Sequence, residues 1–292
     1  APEPVAPAAP AAITIAPPPG AITATPVLAV APTPPAAPTA PRRAAKPRLF
    51  VLAVGVGHYQ RDAYRLMLPA KDAEDFAASM ARQRERAYSD VTIRTLTDAR
   101  ATRNAVRDGL DWLAGAAGPN DVAILFLAGH GLNDAAGRYH FIPYEGRHEA
   151  LADTAVPEND IRRALGRSSG RALLFVDTCF AGNAVGRLAT YSRELAHLAN
   201  DLASAENGVV VFASSSGRQM SEENEAWGNG AFTKALVEGL GGSADLKRTG
   251  RVTFKGLDYY VSDEVGRLTE GRQTPMTISP NGLADFALVA LQ

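Results

Sequence analysis

Cysteine occurs once in this chain, as Cys179, so an internal disulfide and a cysteine-rich zinc site are both excluded. Long apolar runs are missing too, since none approaches the roughly 18 residues that a membrane span needs. Basic charge is not in excess. The chain carries a formal −1, and residues 48–292 hold 27 basic against 30 acidic side chains. Neither a nucleic-acid footprint nor a polybasic membrane surface is indicated. No internal repeat is present. No Gly-x-Gly-x-x-Gly and no phosphate-binding loop follows the first apolar run, which argues against a doubly wound ligand-binding domain. His58, His140, His148 and His197 show no metal-ligand spacing and read as structural or surface residues.

Charge is scarcest at the start, where Glu3 is the only charged side chain before Arg42. Fourteen of the 20 prolines lie within residues 1–47, among alanine and threonine with no periodic apolar face. Such a segment cannot bury enough surface to offset its ordering entropy. Residues 1–47 therefore read as a disordered Ala/Pro-rich tether, and residues 48–292 as one α/β domain. A start at Ala1 rather than Met matches a removed signal peptide or a trimmed chain, and export to a periplasmic or extracellular space is the favoured expectation over the cytoplasm.

In the domain, the apolar runs "LFVLAVGVG" (49–57), "DVAILFLAGHG" (121–131), "RALLFVD" (171–177) and "GVVVFASSS" (208–216) have the form of strands buried on both faces. Between them, residues 68–85, 102–118, 158–167, 230–242 and 254–271 follow helical spacing. Residues 91–98 and 283–291 add strands, the latter expected to be the last, and 138–145 reads as a hairpin arm. Strands alternating with helices predict a mostly parallel central sheet with helices on both faces, an α/β three-layer architecture.

Sites in such sheets form at the carboxyl ends of strands. Two ends here carry reactive side chains: His130 in "AGHG" and Cys179 in "VDTCFAG". A packing cysteine sits inside an apolar run, whereas Cys179 follows an acidic residue beyond one. On neighbouring strands, thiol and imidazole would share one edge, and the imidazole could take the thiol proton and return one to a leaving amine. A buried structural thiol and a turn histidine between permissive glycines are the competing readings. The backbone N–H groups of Gly131 and Cys179 could form an oxyanion hole.

These residues resemble a known group. "VDTCFAG" resembles the Asp-Ser-Cys-x-Ser/Ala-Gly segment of metacaspases and their bacterial relatives, and "FLAGHG" their histidine loop. "LPAKDAEDF", "GRYHFIPYE" and "GAFTKAL" resemble further segments of the group and occur in its order. His130 and Cys179 lie 49 positions apart, close to the caspase interval, while the caspase Gln-Ala-Cys-x-Gly signature is absent. The resemblance implies the caspase–hemoglobinase fold and a cysteine endopeptidase acting on polypeptides, with His130 as general base and Cys179 as nucleophile. It also implies that Asp177 and Asp72 line an acidic S1 pocket, which would direct cleavage after Arg or Lys. A solvated residue in an acidic first turn is the competing reading for Asp72.

Calcium is an expected activator in part of that group. Glu145, Asn159 and Asp160 are the candidates here, without the dense oxygen cluster of a dedicated site, and a solvated loop is the better reading. The run "SSSG" (214–217) reads as a wall of the substrate groove. Competing functions are cleavage after acidic residues, which Asp177 argues against, and a non-catalytic caspase-like scaffold, which the retained Cys179 and His130 argue against. An enzyme of this specificity is exposed to its own basic residues, and Arg43, Arg187, Arg193 and Arg248 are the expected self-cleavage positions.

Overall fold

All four apolar runs become neighbouring parallel strands. The computed structural model describes residues 45–180, 194–204, 208–215 and 221–292. In it β1 (Arg48–Gly55) pairs in parallel with β2 (Asp90–Thr97) and with β3 (Val122–Asn133). On its far side β3 pairs in parallel with β6 (Arg171–Phe180), and β6 with β7 (Val210–Ala213). Two short strands, β4 (Tyr139–Phe141) and β5 (Val156–Pro157), continue from the end of β3. The antiparallel β11 (Met276–Ile278) closes the sheet beyond β7, giving eight strands with β11-β7-β6-β3-β1-β2 as the main path.

Alternation along the strands splits the core into two layers. Phe50, Leu52 and Val54 face one side, against α2 (Arg103–Ala116), α4 (Glu158–Gly166) and α5 (Glu194–Leu202). Leu49, Val51 and Ala53 face the other, against α1 (Pro69–Ala81), α6 (Ala231–Glu238) and α7 (Phe254–Leu268). A short helix, α3 (Leu151–Thr154), is a single turn before β5. Stacked rings Phe76–Phe126 and Phe175–Phe212, at 4.6 and 4.8 Å between centroids, fill the second layer.

The last strand expected within residues 283–291 is present, and it lies apart from the main sheet. β12 (Ala287–Ala290) is a strand, but it pairs antiparallel with β10 (Arg251–Thr253) in a separate two-stranded sheet. Phe254 N–H donates to Phe286 O, and Tyr88 Oη–H to Leu288 O, which ties this segment to the start of α7 and to the residues after α1. The helix expected over 230–242 ends at Glu238 and passes into a wider turn where Gly242 takes φ 131°.

Candidate active site

The sheet brings His130 and Cys179 together by register. They are Cα partners in adjacent parallel strands, a spacing of about 4.8 Å between chains. Both lie inside their strands rather than just past the ends, because β4 takes over on the edge that β1 leaves. β1 stops at Gly55 opposite Ala128, and β4 then pairs with Gly131, Leu132 and Asn133. Gly131 therefore sits between Phe141 and Phe180. Ile142 N–H donates to His130 O at 3.0 Å, so by strand alternation the Gly131 N–H turns toward β6. It could meet an oxyanion only where the rung to Phe180 opens.

The glycines around His130 answer to packing. Gly129 has φ 139°, and a Cβ there would stand 2.7 Å from Tyr59 Oη. A Cβ on Gly131 would stand 2.6 Å from the Tyr139 ring. Both aromatic rings approach so closely that only glycine fits.

His130 is buried, with 5 % of its surface exposed. Nε2 lies 2.8 Å from Tyr64 O, an acceptor only, so Nε2 carries the ring proton and Nδ1 holds a lone pair. Among the described residues Nδ1 has no hydrogen-bond partner. The Tyr59 ring stacks on the imidazole at 5.0 Å, and its hydroxyl accepts from His130 N–H at 2.7 Å. Burial pushes the imidazole pKa below its usual range, against the opposite pull of the Tyr64 carbonyl. Burial thus favours the neutral ring.

Both contacts come from the loop between β1 and α1, which the sequence did not single out. Gly57 and His58 N–H both donate to Asp98 Oδ1 at 2.9 Å, Leu66 N–H donates to Gly57 O, and Arg61 pairs with Glu149.

Beside the strand pair lies a pocket lined by Leu66, Pro69, Asp72, Gly129, Asp177, Ser221, Glu223 and Gly230. Asp72 is not solvated. It sits in the first turn of α1 with 2 % exposure, its Oδ1 accepting from Asn229 Nδ2 at 2.9 Å and from Gly230 N–H at 3.2 Å. Asp177 accepts from Ser221 Oγ at 3.0 Å and Thr233 Oγ1 at 2.7 Å, and Ser214, from the serine run, bonds Ser221 Oγ at 2.5 Å. Burial, then the charge of Asp177, pushes the Asp72 carboxyl up to about 8. Burial also pushes Asp177 up, opposed by the hydroxyls of Thr233, Ser221 and Ser214.

Sequence reasoning missed Glu223 and Gly230. They face each other across a hairpin of two-residue strands, β8 (Glu223–Asn224) and β9 (Asn229–Gly230). Strands this short carry no readable alternation.

The calcium candidates do not converge. Glu145 Oε1 accepts from Arg103 N–H at the start of α2, and Asn159 is exposed. Asp160, buried in α4 rather than in a solvated loop, pairs with Arg107 at 2.9 Å and Arg163 at 3.0 Å. Among the described residues no group of three or more His, Cys, Asp or Glu could hold a metal ion, and no helix is long and apolar enough to cross a membrane. Arg43, Arg187 and Arg193 lie outside the described residues, as does the side chain of Cys179. Arg248 is exposed, at φ 52° in a turn organised by Asp245, which accepts from the N–H groups of Thr249 and Gly250 at 2.9 and 2.7 Å.

The family model of the caspase domain matches residues 48–286. Among solved structures the chain is similar to protein GSU0716 of Geobacter sulfurreducens, with TM-score 0.60 and 21 % identity over 84 % of this chain and 100 % of that one. It is also similar to the Drosophila initiator caspase Dronc, with TM-score 0.52 and 12 % identity over 82 % and 81 %. No curated protein sequence matches.

Proposed function

The chain belongs to the caspase-domain family of cysteine peptidases, and on that premise we propose that it cleaves polypeptides after basic residues, with Cys179 as nucleophile and His130 as general base. The observation that carries the specificity is the pocket beside the His130–Cys179 register pair, which holds the carboxylates of Asp72 and Asp177 and, among the described residues, no Lys or Arg in its lining. A P1 carboxylate would meet like charge there. A guanidinium would turn a mutually repelling pair into charge-assisted hydrogen bonds.

In this reading, Nδ1 of neutral His130 takes the thiol proton and the thiolate attacks the scissile carbonyl carbon. The tetrahedral intermediate collapses as the C–N bond breaks, and the amine leaves with the proton that His130 held. Water then hydrolyses the thioester, with His130 again as base. The Tyr64 carbonyl steadies the imidazolium between these steps. The N–H groups of Cys179 and Gly131 serve the oxyanion once the last β3–β6 rung has parted.

The test is kcat/KM on peptides that differ only in P1 as Arg, Lys or Asp, with Cys179→Ala and His130→Ala as controls. Arg is expected to lead, because its planar fork matches a carboxylate, with Lys next and Asp last. Both variants should be inactive yet folded. A preference for Asp reverses the specificity, and an active Cys179→Ala protein removes the nucleophile.

A further inference from the structure

Where the turn after α6 and the strand β10 meet the start of α7 lies a groove of about 340 Å³. We propose that it docks an acidic segment of a partner polypeptide, one that carries an apolar side chain among its carboxylates.

Large apolar side chains rarely reach this surface. Among the described residues Met67, Leu246 and Tyr259 do so, and the last two both line the groove. Leu246 is 54 % exposed and Tyr259 65 %. Tyr259 stands one helical turn beyond Lys255, so ring and ammonium share a face of α7. Apolar groups left in water beside a cavity and rimmed by charge mark a contact surface.

The charge of that rim is one-sided. Lys247, Arg251 and Lys255 line the groove, are exposed, and form no ion pair among the described residues. Its two acids are already engaged. Asp245 accepts from the N–H groups of Thr249 and Gly250 at 2.9 and 2.7 Å, and Asp285 Oδ1 from Lys255 N–H at 3.2 Å. An acidic chain would be drawn to three cations here, although the domain as a whole has more acids than bases.

A phosphate group fits less well. The first N–H groups of α7 are all taken: Phe254 donates to Phe286 O, Lys255 to Asp285, and Gly256 to Thr253 Oγ1 at 3.1 Å. No backbone donors remain there to cradle a compact anion. Asp245 and Asp285 would also repel one, whereas a peptide spaces its carboxylates and brings an apolar group to Leu246 and Tyr259. The groove is held in shape by close packing. A Cβ on Gly256 would stand 2.8 Å from Ala244 O, so glycine lets the turn after α6 lie against α7.

The position leaves the catalytic end free. Phe286, next to Asp285, stacks near Phe254 at 4.9 Å and lies under the Arg171 guanidinium at 3.8 Å. Arg171 begins β6, and about 26 Å of strand separates it from Cys179. Docking can therefore be measured apart from cleavage.

The experiment follows, by fluorescence anisotropy on the full chain, a labelled peptide with Leu and Phe set among Asp and Glu and with no basic residue. Two altered peptides replace Leu and Phe by Ser, or Asp and Glu by Asn and Gln, and tripolyphosphate and a uridine oligonucleotide serve as competitors. The parent peptide should bind at least about fivefold more tightly than either altered one. Lys247→Glu combined with Lys255→Glu should raise its Kd at least about tenfold, and Tyr259→Ala or Leu246→Ser at least about threefold. These side chains are exposed, so thermal melts should match wild type. Arg167→Glu, exposed at the end of α4 on the other face of the sheet, is the control and should bind as wild type does. No binding of the parent peptide, or a Kd within about twofold of wild type after the double charge reversal, overturns the proposal. Equal binding of the Ser-substituted peptide, or tighter binding of tripolyphosphate or the oligonucleotide, assigns the groove to another ligand and overturns it as well.

Discussion

Burial and the neighbouring Asp177 push the Asp72 carboxyl up to about 8, so near neutral pH the pocket keeps a proton that the unfolded chain would release. Between the unfolded value of 3.8 and about 8 the native state binds more protons than the unfolded one, and this group's contribution to stability falls as pH rises through that window. His130 works the other way. Its lowered pKa favours the neutral ring in the fold, so stability is lost as pH drops below its ordinary 6.5. Asp72→Asn keeps the acceptor for Gly230 N–H and removes the repulsion with Asp177. That variant should melt at or above wild type at pH 8 and show no advantage at pH 5. It should also lose at least about tenfold in kcat/KM on a P1-Arg peptide. Thermal melts at the two pH values and one kinetic series check both halves. Higher stability with lower activity is the signature of a residue kept for function.

At the scale of elements, the loop from Val56 to Leu68 supports the imidazole. Tyr59→Phe keeps the stacked ring and deletes the hydroxyl that accepts from His130 N–H, leaving a buried donor short of a partner at a cost of about 1–3 kcal/mol. The midpoint of unfolding should fall by several degrees, and kcat should drop with KM little changed, because the loss is felt at the base and not in the pocket. Equal changes in KM and kcat would argue for a general loosening instead. This loop marks where the sequence stops being legible. The runs of β1, β3 and β6 announce themselves because a strand covered on both faces must be apolar throughout. His130 and Cys179 could be matched because parallel strands carry such runs in step. The support for His130 is a backbone carbonyl of Tyr64 and a close approach at Gly129, neither of which leaves a residue pattern. β11, a three-residue edge strand, and the hairpin around Glu223 are too short for periodicity. The C-terminal strand was visible, but its partner β10 was not, since pairing depends on where α7 places the chain.

For the whole molecule, we propose that residues 1–47 form an arm on the peptidase domain and that the enzyme acts on its own chain. Peptidases take their substrates extended. Arg248 is exposed but held in the Asp245 turn with a left-handed φ, so cutting there first needs that turn to open. Cleavage after Arg43 should therefore precede any cleavage after Arg248, and Arg187 and Arg193 complete the set to be read. Wild type and Cys179→Ala incubated in parallel, with new termini read by mass spectrometry, decide the order. An intact wild-type chain under conditions where it cuts an Arg peptide would end the self-processing idea and leave the site untouched.

The loop after β1 also constrains how such an enzyme could change its diet. Its Tyr59 and Tyr64 hold His130, the proposed base, while Leu66 lines the pocket and Met67 N–H holds Glu223. A substitution there that alters what the pocket accepts also disturbs the group that performs the reaction, so most variants would lose turnover before gaining a new preference. Residues 221–230 touch the pocket and, among the described contacts, leave His130 alone. Divergence of specificity within such enzymes, or retargeting at the bench, should proceed through that hairpin, where preference can drift while the chemistry is inherited unchanged.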